Sequence, residues 1–123
     1  MQFLTLASAD GSWSVSPVLL ALSWRQRWAG VHTGHDRVLL PTAAVHGRGL
    51  LEPLHVIGID YAGSAVTVRR LDPGSFLRVS GASWILEQPI GDPVPASGMA
   101  LSIYPRGYAR EIDSVWDADR QSW

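Results

Sequence analysis

The chain reads as a mainly β protein, a compact single-domain β-barrel or two-sheet sandwich of about eight short strands with one short helix near residues 23–30. Three observations predict it. Apolar residues come in short runs separated by turn formers, as in Val56-Ile57-Gly58-Ile59 before Asp60-Tyr61-Ala62-Gly63. Tight-turn signals recur at Ala9-Asp10-Gly11, Asp72-Pro73-Gly74 and the Pro-bearing stretch from Gly91 to Gly98. A single segment, from Ser23 to Gly30, carries helix-terminus chemistry.

In chain order, residues 2–7 and 12–21 form a first hairpin about Asp10-Gly11, where both residue types tolerate the backbone of a tight turn. Ser23 with Gln26 has capping-box spacing, and Gly30 suits a left-handed helix end. Trp24 and Trp28, one turn apart, share a helix face and are expected to plug the core. Strands follow at 38–40, near 42–46, and at 54–60, 64–71, 76–79, 82–88 and 99–104. Residues 1–107 are expected to form the β domain. Residues 108–123, with Ile112, Val115 and Trp116 at helical spacing, form a tail that is either a short helix or a frayed end.

Composition narrows the function. With 46% hydrophobic and 17% charged residues, the 123-residue chain can bury one core. Ten basic residues against eleven acidic ones leave a net charge of -1, so no global field draws in nucleic acid, and no nucleic-acid partner is expected. All the basic residues are Arg, and both Lys and Asn are absent, which fits a GC-rich bacterial genome. Without cysteine there is no disulfide, thiolate metal site or Cys nucleophile. The N-terminal stretch has no basic leader, and no run reaches the roughly 20 apolar residues of a membrane span, so a cytoplasmic location is expected.

Three blocks carry a family likeness. The first is Arg27 with Gly30 and Val31; the second runs Val45, His46, Gly47, Leu50, Pro53, Leu54, His55 and on to Asp60 and Gly63; the third is Ala82, Leu86, Glu87 and Gly91. In order and spacing they resemble the bacterial domain of unknown function 192 family, small mostly β proteins. The resemblance implies the same β architecture and no assigned activity. The chain departs from the family pattern where His55 replaces an Asp, Gly47 a Thr, and His32 and Leu50 the usual Met residues.

The candidate ligand-binding residues are His46, Arg48, His55 and Asp60. His46 adjoins the flexible Gly47-Arg48-Gly49, where backbone can approach a ligand. His55 alternates with Ile57 and Ile59, so it is either a neutral core histidine or, if it converges with His46, half of an acid–base pair. Arg27, Gly30, Pro53 and Glu87 are assigned structural roles, Glu87 needing an Arg partner such as Arg27 if it faces the interior. His32 and His35 have a spacing that suits metal binding but lack a third ligand, so no metal and no cofactor are expected. There is no nucleophile elbow, phosphate loop or dinucleotide fingerprint. The favoured function is a small non-catalytic binding or accessory module with a groove near residues 45–60, for a small molecule, glycan or protein. Two alternatives stay open: a small hydrolase or isomerase using the His pair, and a structural subunit assembling through its tail. Oligomeric state is not fixed by the sequence.

Overall fold

The computed structural model describes residues 2–32 and 34–104, with the side chains of Val31 and His32 left aside. The expectations for the 108–123 tail and for the His32 side chain lie outside the described residues. Nine strands and one helix follow in chain order: β1 (Gln2–Ser8), β2 (Ser14–Leu20), α1 (Trp24–His32), β3 (Val38–Leu40), β4 (Ala44–His46), β5 (Leu54–Ile59), β6 (Ala65–Leu71), β7 (Phe76–Arg78), β8 (Trp84–Pro89) and β9 (Leu101–Tyr104). The mainly β class holds, and each of the nine strands among the described residues falls on one of the segments expected from the sequence, close to the expected total of about eight.

Seven strands form one sheet in the order β6-β5-β8-β3-β2-β1-β9, and β4 pairs with β7 in a second, two-stranded sheet. The larger sheet curls into a half-barrel. Its two edge strands meet at their N-terminal ends, where Ser64 bridges Ala100 and the Leu101 N–H donates to the Gly63 carbonyl over 2.9 Å. Every pairing in the sheet is antiparallel except β2 with β3, and α1 lies in the connection between those two parallel strands.

Continuous apolar runs such as Val18-Leu19-Leu20 and Trp84-Ile85-Leu86 imply strands covered on both faces, and two apolar clusters do the covering. The concave face gathers Leu6, Leu20, Leu39, Ile57, Ile59, Leu86 and Leu101. The opposite face packs Leu19, Val38, Val56, Leu71 and Ile85 against Val45, Leu77 and Val79 of the β4–β7 layer. Alternation therefore assigns each β8 side chain a face: Ile85 and Glu87 outward, Leu86 and Gln88 inward. Gly58 permits the outer layer to come close, since a Cβ there would stand 2.5 Å from Val79 Cγ1.

The helix differs from its expected form in two respects. Ser23 Oγ accepts the Gln26 N–H, and Gln26 Oε1 accepts the Leu22 N–H, so the start is capped reciprocally. Gly30, however, does not end the helix. It is buried within α1, where a Cβ would run into Leu19 Cδ2, and the left-handed position falls to Gly34 at φ 83°. The His35 N–H closes the end onto the Gly30 carbonyl over 2.8 Å. Trp24 and Trp28 are not core plugs: each is 51% exposed, because α1 turns Arg27 and Gly30 toward the sheet instead.

Candidate functional site

The residue that α1 buries is Arg27, 3% exposed, against Glu87 of β8, 1% exposed. The guanidinium meets the carboxylate with both prongs, Nε to Oε1 at 2.8 Å and Nη2 to Oε2 at 2.7 Å. Nη2 also donates to the His46 carbonyl at 2.9 Å. Helix, half-barrel and second sheet are thus fastened at one point by a planar fork that an ammonium would not match. Trp24, three residues before Arg27, lays its ring on the His46 imidazole, with centroids 4.3 Å apart and planes 9° from parallel, and the Arg27 Cζ lies 5.1 Å from the Trp24 ring centroid.

The surroundings of His46 disfavour its charged form. Burial lowers its pKa from 6.5, and the nearby Arg27 and Arg48 charges lower it further. Its Nδ1 accepts the Arg48 N–H at 3.3 Å, so the loop Gly47-Arg48-Gly49 folds back onto the ring. The loop needs Gly47, because a Cβ there would run into the Asp72 carbonyl, and Gly47 exchanges backbone hydrogen bonds with Ser75 and Gly74.

His55 lies elsewhere. It shares the concave face with Ile57 and Ile59 and stands across from Gln88 on one side and Arg70 on the other. Glu87 and Gln88 are consecutive and point to opposite faces, so the sheet itself separates the His46 assembly from His55. The two histidines do not form an acid–base pair. Gln88 donates through Nε2 to the Pro93 carbonyl at 2.9 Å, an acceptor it shares with the Trp13 indole at the same distance. The Nδ1 of His55 and the Oε1 of Gln88 are buried with no hydrogen-bond partner among the described residues. Asp60 is a turn residue, its Oδ1 accepting the Ser64 N–H at 2.8 Å in the β5–β6 hairpin. Among the described residues no group of three His, Asp or Glu side chains is placed to hold a metal ion.

A groove lies beside the loop that leads into β5. It has a volume of about 990 Å³ and is walled by Gly49, Leu50, Leu51, Glu52, Pro53 and Leu54 on one side and Pro89, Ile90 and Gly91 on the other, with Asp36 and Arg70 at its rim. An inner recess of about 240 Å³ shares Asp36, Leu50 and Leu54 with it and extends past Gly34, His35 and Val38 to Glu87. Ligand sites are commonly concave, mostly apolar and of this size. Leu51 is 97% exposed in its wall, and Trp28 abuts the loop at Gly49, where a Cβ would lie 3.1 Å from the indole. His46, Arg48, His55 and Asp60 are not among its lining residues, while Pro53 is. The pair Leu50-Leu51 could have been flagged from sequence as two leucines inside a Gly- and Pro-bounded loop, outside any alternating pattern. Asp36 and Ile90 carry no comparable signal.

No protein-family model matches the chain, and no curated protein matches it. A solved crystal structure from Sinorhizobium meliloti 1021, of a protein described as a "putative transcription regulator", is similar in fold: the likeness covers 84% of this chain and 96% of that chain, with a TM-score of 0.61 and 18% sequence identity. At that identity the two share an architecture, and the likeness carries nothing about function. Among the described residues no helix is long and apolar enough to cross a membrane.

Proposed function

We propose that this chain is a small non-catalytic binding or accessory module of the domain-of-unknown-function-192 type, and that it takes its ligand in the groove walled by residues 49–54 and 89–91. The observation that carries the reading is the groove itself: an open, largely apolar concavity in whose walls Leu50, Leu51, Leu54 and Ile90 gather, Leu51 being 97% exposed. The family assignment is supported by the meeting of its blocks at one place, Arg27 of the first block binding Glu87 of the third and the His46 carbonyl of the second. A non-catalytic role is favoured because the polar side chains singled out for chemistry are engaged in holding the fold or are set on opposite faces of the sheet.

The test is thermal unfolding followed by tryptophan fluorescence across metals, sugars, nucleotides, peptidoglycan fragments, aliphatic amphiphiles and duplex DNA. A ligand at ~100 times its Kd stabilises the native state by about 2.7 kcal/mol, a shift on the order of 10 °C for a domain of this size. A small-molecule shift that disappears in Leu51→Asp/Ile90→Asp supports the groove. A shift retained by that variant, or one given by DNA alone and weakening steeply with salt, overturns the reading.

A further inference from the structure

We infer that the groove, if it is the binding site proposed above, selects a small aliphatic cation: an alkyl chain ending in a primary ammonium or a guanidinium. Its shape and its charge point the same way. The walls of the outer groove are chiefly aliphatic, formed by Leu50, Leu51, Leu54 and Ile90, so they fit an alkyl chain. The inner recess continues that surface with Val38, giving a chain a path away from solvent.

The ionic groups around this surface are unevenly matched. Glu87 at the inner end is bound by Arg27 with both oxygens, and Arg70 at the rim is held by Asp72 at 2.8 Å. The neighbouring Arg37 is committed to Asp92 at 2.6 Å. Asp36 and Glu52 remain, both exposed; neither is within ion-pair distance of a cation among the described residues, and Asp36 feels only the weaker, longer-range attraction of Arg37. Asp36 lies where the outer groove meets the recess, and Glu52 belongs to the wall formed by the loop. Among the described residues that line the groove, a cation anchored by its alkyl chain would find two carboxylates outside any ion pair, and one guanidinium, that of Arg70, already paired with Asp72. A carboxylate-bearing chain of equal length would meet repulsion from both. Exposed charges add little affinity, so the apolar walls would provide most of the binding and Asp36 and Glu52 the discrimination.

Octylammonium, octanoate and octanol, all below their micellar range, separate these contributions when titrated while the tryptophan emission is followed. The expected result is binding of octylammonium about tenfold tighter than octanoate, as two solvent-screened ion contacts can produce, with octanol between them. In Asp36→Asn/Glu52→Gln the three should bind alike, and added salt should erode the preference in the wild-type protein. Equal or tighter binding of octanoate, or a preference that survives the double substitution, overturns the cation assignment while leaving the groove reading standing. Binding of none of the three overturns the cation assignment, and binding of all three that persists in the uncharged variant Leu51→Ser/Ile90→Ser overturns both.

Discussion

Replacing Glu87 by Leu isolates the ion pair at the centre of the molecule. The substitution keeps roughly the side-chain volume and strands the Arg27 guanidinium, 3% exposed, with the His46 carbonyl and the Trp24 ring as its remaining partners. Removing one member of a buried pair costs about 3–5 kcal/mol, because the other charge stays buried and uncompensated. The retained carbonyl contact places Glu87→Leu in the lower half of that range, about 3–4 kcal/mol, equivalent to a fall in Tm on the order of 10–15 °C. Arg27→Met/Glu87→Leu should recover most of the loss, since an apolar pair of similar size is often as stable as the ions it replaces. It should still lie about 1–2 kcal/mol below wild type, because the His46 carbonyl loses its donor. Urea unfolding of the two single variants and the double variant, followed by tryptophan fluorescence, gives the coupling energy directly. A loss in Glu87→Leu below about 1 kcal/mol, or additive single and double effects, would refute the claim that this pair fastens helix to sheet.

Further outcomes follow from the same geometry. Gly47→Ala should destabilise by more than about 2 kcal/mol in urea unfolding, because the clash is with the Asp72 backbone carbonyl, whereas Gly91→Ala, with nothing within 4 Å, should be close to neutral. His46 has a folded pKa below its unfolded value of 6.5, so in the window between them the unfolded chain binds more protons; its contribution is complete above about pH 6.5 and is lost as pH falls through the folded pKa. Unfolding free energy should therefore decline on acidification from about pH 7 to about pH 5, and the decline should be shallower in His46→Phe, which preserves stacking on Trp24. Leu51→Asp/Ile90→Asp should leave the unfolding midpoint within about 1 kcal/mol of wild type while removing ligand-induced stabilisation, both side chains being exposed.

The strands were legible in the sequence because each is bounded by residues whose turn chemistry is local: Asp10-Gly11, Asp60 to Gly63, and Asp72 to Gly74. The helix end was misplaced for a physical reason. Gly30 serves close packing on Leu19, and a glycine placed for packing looks the same in sequence as one placed for a left-handed cap. The Trp residues mislead similarly, since hydrophobicity assigns them to the core while the charged Arg27 occupies it; only a partner for Glu87, distant in sequence, makes that inversion stable. Alternation correctly aligned His55 with Ile57 and Ile59, but it could not reveal that the sheet would stand between His55 and His46. The groove was the least legible feature. Its lining comes from Asp36, the 49–54 loop, Arg70 of β6 and the end of β8, four segments brought together by the fold and not by any local pattern.

The central claim is that this groove is a ligand site. Methyl spectra of protein labelled at Leu and Ile, recorded while the strongest small-molecule stabiliser is added, test it most directly. The account predicts saturable shifts at Leu50, Leu51, Leu54 and Ile90, with the concave-face methyls of Leu6 and Leu101 unmoved. Shifts confined to Leu6, Leu101 and their neighbours, with the groove methyls silent, would place the ligand inside the half-barrel and contradict it.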